Sequence, residues 1–389
     1  MRFAKSGIVG FLAALLCLSP AAQAADDAVR IGLVIPTTGI FSSNGRQIST
    51  AIKAFMNVNG AMAGGRKVEV LTRDDTGSPD LAKRLSQELV IRDHVNFLAG
   101  FGNTPTALAV APIATQAKTP QIVMVAATSI ITEKSPYIVR SAQTIPQIAA
   151  VAGDWAANNN IKRAISIVSD YGPGLDAEAW FAKRFEAAGG KVLEKLRAPL
   201  ASPEFAPFLQ KVKDTAPDAV FVFVPTGAGA VFMRQFADRG LAAAGVKLLA
   251  MSDVMDDELL GQMGDAAIGA ISIGPYSASH DSAENKEFLE AFYKANDKKF
   301  RPNIVAVSAW DGMKLIYDAL NATKGANDGE ALVNAMKGAS LKSARGQILI
   351  DPATRDIVQN IYVRKVERIN GELWNTEFET IPAVKDPAK

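Results

Sequence analysis

The chain has 389 residues, 42 Lys plus Arg against 40 Asp plus Glu, 48% apolar residues and one cysteine. That length exceeds the ~250–300 residues at which a single hydrophobic core stops growing, so two domains are expected. The near-neutral balance excludes the basic surface that nucleic acid or an anionic membrane requires of a partner.

The amino-terminal residues read as an address. Arg2 and Lys5 precede an apolar run at 8–18, and Ala22-Gln23-Ala24 supplies a small-x-small cleavage pattern, which makes residues 1–24 a signal peptide. The run is shorter than the ~20 residues of a membrane-spanning helix, and no later segment is longer and as apolar. Cys17 follows Leu16 rather than a small residue, so a lipid anchor is not expected. Cleavage after Ala24 leaves 365 of the 389 residues, with 40 basic against 40 acidic once Arg2 and Lys5 are gone. Such a chain carries no cysteine, so burial and not a disulfide framework must stabilise it.

From residue 29 short β-rich runs alternate with longer helical ones. Runs at 29–35, 67–71, 96–99 and 121–125 are apolar on both faces, and 45–59, 79–92 and 104–118 have helical spacing. Buried strands joined by helical crossovers predict a parallel sheet covered on both sides. After Arg140-Ser141-Ala142-Gln143 the pattern restarts, with strands at 164–168, 191–196, 219–224 and 247–250 and helices at 172–188, 205–215 and 227–239. Helices at 283–295 and 303–322 suit the first unit better than the second. A hairpin with a long turn closes the chain, its strands at 347–350 and 359–366. The expected fold class is α/β, with two doubly wound, Rossmann-like lobes. Lobe 1 takes residues 25–142 and 275–346, and lobe 2 takes 143–274 and 347–389.

Enzyme chemistry finds little support. His94 and His280 are the only histidines, there is no H-E-x-x-H, and no G-x-S-x-G, phosphate loop or G-x-G-x-x-G occurs. Gly100-Phe101-Gly102-Asn103-Thr104-Pro105 comes nearest to the last and lacks its third glycine. The acidic pairs Asp74-Asp75 and Asp256-Asp257 read as turn and capping residues, and His280 as a solvated loop residue. No cofactor or metal is called for.

Open α/β sheets bind ligands at the carboxyl ends of their strands. The segments there are 36–45, 100–106, 126–129 and 169–174, all rich in small and hydroxyl residues. Each could be an ordinary N-cap. Four of them, drawn from two lobes, point to a shared cleft whose backbone N–H groups and helix N-termini suit an anion such as a carboxylate.

At these residues a resemblance becomes specific. The order V-R-I-G-L-V-I-P-T-T-G, D-D-T-G-S-P-D, A-A-T-S, S-D-Y-G-P-G and G-Q-I-L-I-D resembles the leucine/isoleucine/valine-binding family of periplasmic proteins along essentially the whole chain after residue 24. The resemblance implies a type I periplasmic-binding fold, three crossings between the lobes and a Venus-flytrap closure. It also implies a periplasmic monomer whose partners are a small carboxylate ligand and an inner-membrane ABC permease with its ATPase.

Carried over by position, the family's carboxylate site falls on Asn103, Thr104, Ala126, Ala127 and Thr128, its aromatic wall on Tyr171, and the acid facing the ligand's ammonium on Asp253. Two departures stand out. Pro225-Thr226 replaces a tyrosine common in the family, and Asn44 replaces an aromatic residue. Thr226 and Asn44 are therefore candidate contacts, while Phe41 and Tyr276 are candidates to wall a larger ligand. An apolar or branched-chain amino acid is the leading ligand class. An aromatic or other organic acid for the same kind of importer, or a periplasmic sensing role, is the alternative.

Overall fold

The computed structural model describes Met1, residues 28–201 and residues 203–389. Apart from Met1, the signal peptide read at 1–24 lies outside the described residues.

The first sheet comes from β1 (Val29–Ile35), α1 (Ser42–Asn59), β2 (Met62–Ala63), β3 (Arg66–Asp74), α2 (Pro79–Ile91), β4 (Phe97–Gly100), α3 (Thr104–Ala117), β5 (Gln121–Val123) and β6 (Ile138–Arg140). The second begins with α4 (Ile145–Asn158), β7 (Arg163–Ser169), α5 (Gly172–Ala187), β8 (Lys191–Ala198) and α6 (Ala206–Thr215). It continues through β9 (Ala219–Phe223), α7 (Thr226–Asp238), β10 (Lys247–Met251) and β11 (Ile271–Gly274). The chain then forms α8 (Ala283–Asn296), α9 (Ile304–Ala322), α10 (Gly329–Met336), β12 (Ser340–Ser343), β13 (Gly346–Ile350), β14 (Ile357–Ile369) and β15 (Glu372–Val384).

Strand order repeats between the sheets. Parallel strands run β3-β1-β4-β5-β6 in the first and β8-β7-β9-β10-β11 in the second, where antiparallel β14, flanked by β15 and the β12-β13 pair, extends the edge. The restart after residue 143 is this repetition. In each sheet the chain leaves its first strand in one direction and later crosses to the other side, so a crevice opens beyond the carboxyl ends of β1 and β4, and another beyond β7 and β9.

Alternation along β1 shows how burial fixes the layers. Ile31, Leu33 and Ile35 pack with residues of α1 and α9. Val34 faces the other way, towards Ala82 and Leu89 of α2 and Ala107 and Val110 of α3. In the second sheet Ile165, Val220 and Val222 meet α6 and α7 through Leu209, Phe232 and Phe236. Phe221 stacks instead on Phe181 of α5 with ring centroids 4.1 Å apart. Each such side chain contributes about 1.5–3 kcal/mol through burial.

Some elements escaped the sequence pattern. Helix α4 is buried on nearly every side from Ile145 to Gly153, so it has no polar stripe to set a 3.6-residue period. Strand β15 is exposed along much of its length and lies beside β14 as an edge ribbon. His280, expected in solvent, instead places Nδ1 2.6 Å from the Glu377 Oε2 with its side chain only 14% exposed, because its loop packs on β15. The Asp74-Asp75 pair does act in a turn: Asp74 accepts from the Thr37 and Thr76 N–H groups, and Asp75 from that of Gly77.

Where the chain passes between sheets, one buried cation joins the segments. Arg345 pairs with Asp311 at 2.9 Å, both side chains fully buried. It also donates to the Ser308 hydroxyl, the Gln359 side-chain oxygen and the Ser141 carbonyl. Removing one partner of a buried pair leaves an uncompensated charge, at a cost of ~3–5 kcal/mol. Arg345→Met should therefore lower the unfolding free energy measured by chemical denaturation by about that much, and Arg345→Met/Asp311→Leu should recover most of it. A single variant within 1 kcal/mol of wild type (a small shift on the usual mutational scale) would contradict this role.

Candidate functional site

The loops beyond the strand ends meet around a cavity of about 60 Å³. One water needs ~10–15 Å³ by the same measure, so the space suits a small molecule of a few waters' bulk. From the first sheet come Ile40, Phe41, Ser43 and Asn44 after β1, Gly102, Asn103 and Thr104 after β4, and 124–127 after β5. From the second come Tyr171 and Pro173 after β7, Phe223, Pro225 and Thr226 at the end of β9, and Asp253 after β10. Gln143, in the first crossing, and Ile304, Val305 and Ser308 of α9 complete the wall.

Close helix approach is built into two glycines. A Cβ on Gly45 would lie 2.1 Å from the Pro36 carbonyl, and one on Gly174 1.8 Å from that of Ser169. Only glycine lets α1 and α5 start so tightly against the strands they follow.

One wall is rich in donors. Thr104 is the first residue of α3, so its backbone N–H has no acceptor within the helix. Its hydroxyl lies 2.8 Å from that of Thr128. One of the pair must donate to the other, which leaves one hydroxyl proton for a third partner. Thr128 does not itself line the cavity, yet Gly172, where α5 begins, faces it: a Cβ there would lie 3.6 Å from the Thr128 hydroxyl. The amino ends of α3 and α5 thus converge on one hydroxyl pair, and each favours negative charge. The Ala126 N–H is taken by the Phe101 carbonyl, whereas among the described residues the Ala127 N–H meets no protein acceptor.

Arg140 holds this wall from behind. It is fully buried, donates to the carbonyls of Ala126 and Thr128, and pairs with Asp356 at 2.7 Å. In the 126–129 loop the Ala126 and Ser129 N–H groups are taken by the Phe101 carbonyl and the Asp176 carboxylate, which leaves that of Ala127 beside the cavity. Among the described residues that line the cavity there is no lysine or arginine.

The facing wall is aromatic and acidic. Tyr171 stacks on Phe223 with centroids 6.2 Å apart and planes 8° from parallel. Burial, with the charge of Asp253 added, holds the Tyr171 hydroxyl well above its ordinary range. Burial also pushes the Asp253 carboxyl up to about 6, against bonds from its own N–H and from Gln143, whose Nε2 is 3.4 Å away.

Of the residues singled out in the sequence, Phe41, Asn44, Asn103, Thr104, Ala126, Ala127, Tyr171, Thr226 and Asp253 line the cavity. Two of these have structural duties. Asn103 caps α3 through the Thr106 N–H and donates to the Gly77 carbonyl. Asn44 donates to the Gly102 carbonyl. Tyr276 is a correction, since it is fully buried in the first-sheet core, donates to the Asn285 side-chain oxygen at 2.9 Å and packs edge-on to Phe288. Its place just past Gly274 turns it under α8, away from the cavity. Sequence reasoning missed Gln143, Phe223 and Ser308. The aromatic residue sought beyond β9 stands at the last position within it, and Gln143 belongs to a segment read only as a crossing.

A family model described as periplasmic binding protein matches residues 28–372, and the chain belongs to that family. It is thereby a substrate-binding protein of the ABC-transporter type. Leu/Ile/Val-binding protein homolog 6 of Brucella melitensis biotype 1 is 41% identical over 380 residues, 97% of each chain. A solute-binding protein of an ABC transporter from Rhodopseudomonas palustris BisB5, solved in complex with 3,4-dihydroxybenzoic acid, is 54% identical with a TM-score of 0.91, covering 93% of this chain and 99% of its own. Another from R. palustris, in complex with 4-hydroxybenzoate, is 41% identical with the same TM-score of 0.91 and the same 93% and 99% coverage. The leucine-binding protein of Thermotoga maritima MSB8 shares the fold at TM-score 0.79 and 23% identity, over 91% of this chain and 99% of that one. Among the described residues no helix is long and apolar enough to cross a membrane, and no group of three metal-ligating side chains forms.

Because burial raises the folded-state pKa of Asp253 from 3.8 to about 6, the folded protein binds that proton more tightly than the unfolded chain does. The Asp253 contribution to stability should then fall as pH rises from about 4 to about 6, and Asp253→Asn should remove that contribution while those of Asp75 and the other buried carboxyls remain. Carbon-detected NMR of the Asp253 carboxyl should show a midpoint near 6. A midpoint in the ordinary carboxylate range would place that group in water.

Proposed function

We propose that the protein captures a hydroxylated aromatic carboxylate in the periplasm and passes it to an inner-membrane ABC permease with its ATPase. The observation that carries this reading is the pairing of a flat aromatic wall, Tyr171 on Phe223, with a donor wall at Thr104, Ala127 and Thr128. In this reading a single ring lies between the two walls, its carboxylate meeting the hydroxyl pair and the free N–H. Asp253, from the opposite sheet, accepts from a ring hydroxyl, and Gln143 steadies it. Relatives solved with hydroxybenzoates support the same choice. The amino-acid reading led in the sequence; these relatives and the stacked wall favour the aromatic one, and Asp253 is the feature the amino-acid reading keeps.

Titration calorimetry separates the two. Wild type should bind 4-hydroxybenzoate and not leucine. A hydrogen bond to a charged group contributes ~1.5–3 kcal/mol, so Asp253→Asn should weaken 4-hydroxybenzoate about 10- to 100-fold. It should leave benzoate, which has no ring hydroxyl, as tight or tighter. Leucine binding by wild type that disappears in Asp253→Asn would overturn the aromatic reading.

Closure is proposed as a hinge at 141–143, 274–275 and the passage between β13 and β14. The last point is placed beyond residue 346, where the sequence reading ended lobe 1, because Ile348, Ile350 and Ile357 share the core of the first-sheet helices. Small-angle scattering should show a smaller radius of gyration with saturating 4-hydroxybenzoate. Identical curves with and without it would exclude closure.

A further inference from the structure

Beside the cavity a second set of contacts joins the sheets, and it contains no cavity-facing acid. Glu258 lies in the loop after β10, on the second sheet. Its Oε2 accepts from the Ser43 hydroxyl at 2.8 Å and from the Gln47 amide at 2.7 Å. Its Oε1 accepts from the Arg46 Nε at 3.1 Å, and the Arg46 Nη2 reaches the same oxygen. All these donors stand in the first two turns of α1, on the first sheet. Two residues before Glu258, Asp256 accepts from the Asn303 amide at 2.7 Å, and Asn303 caps α9. Asp256 also accepts from the Glu258 N–H at 2.9 Å, which fixes the loop that presents the carboxylate.

The Glu258 side chain is 6% exposed and that of Arg46 45%. A carboxylate so far withdrawn from water, met by donors from the other sheet, belongs to a closed arrangement, since separating the sheets would return it to water. The segment it grips continues directly from Ile40 and Phe41, which line the cavity. Resting on the reading above of a binder that closes, we infer that Glu258 is the latch of the closed cleft. It touches no ligand and sets affinity through the fraction of molecules closed. Apparent Kd is the intrinsic value divided by that fraction, so a weakened latch raises Kd by the factor by which the closed fraction falls.

Two measurements test this, one of them without ligand. The Ile40 carbonyl lies 3.8 Å from where a Gly227 side chain would begin, so positions 40 and 227 are neighbours across the cavity mouth, and a cysteine pair placed there is the probe of closure. In a Cys17→Ser background they are the only thiols, and the rate of disulfide formation in ligand-free protein reports the closed fraction. Glu258→Gln should slow trapping about fivefold or more and raise the Kd for 4-hydroxybenzoate by a similar factor. The exchange Arg46→Glu/Glu258→Arg should restore both towards wild type. Trapping within twofold of wild type in Glu258→Gln, or an exchange variant as impaired as the single one, would overturn the latch. Failure of wild type to bind 4-hydroxybenzoate would remove the ligand class, while the trapping rate would still decide the latch.

Discussion

Two mostly parallel sheets turn the carboxyl ends of their parallel strands towards one small cavity, and the rest of the molecule follows from what that geometry can supply. Strand ends bring loops and helix N-termini, and these offer N–H groups with no internal acceptor. Side-chain cations are not needed where such donors converge, and none lines this cavity among the described residues. A carboxylate that leaves water here must be met by backbone and hydroxyl donors, which hold their direction only if the loops are fixed. Arg140, buried behind the 126–129 loop, fixes one of them by binding its carbonyls. Glycines at 45 and 174 bring two helix starts close enough to matter.

In the function proposed above, the aromatic and acidic half of the cavity sets the choice among carboxylates. Tyr171 and Phe223 present flat apolar surface, and Asp253 is held near the boundary between its charged and neutral forms by burial. For an amino acid, Asp253 would be the counter-ion of an ammonium. For a hydroxylated ring, it is the acceptor of a phenol proton, and the hydroxyl pair opposite meets the carboxylate. The same side chains thus allow either chemistry, and the stacked wall is what favours the ring in the function proposed above.

Much of this was legible in the sequence, for reasons that differ by residue. The strands at 29–35 and 219–224 showed themselves because both faces are buried, which leaves a continuous apolar run bounded by turn residues. The segments that hold Thr104, Ala127 and Tyr171 were found because position after a strand end is itself a signal in this fold class, and the roles of these residues came from the family resemblance. Phe223 and Gln143 were not, since one looks like ordinary strand core and the other like a linker. Tyr276 misled: an aromatic residue next to a crossing can turn to either side, and only the packing of α8 decides. Helix α4 hid for the opposite reason to an exposed loop, being too uniformly buried to show a period. The identity of the ligand was the least legible feature, because it depends on a few directions in space and hardly at all on composition.

A crystal structure of the complex with 4-hydroxybenzoate tests the central claim most directly. The carboxylate is expected at the Thr104 and Thr128 hydroxyls and the Ala127 N–H, the ring against Tyr171 and Phe223, and the phenolic oxygen within hydrogen-bonding distance of Asp253. A ring reversed, with its carboxylate towards Asp253, or a ligand bound away from the strand ends, would contradict it.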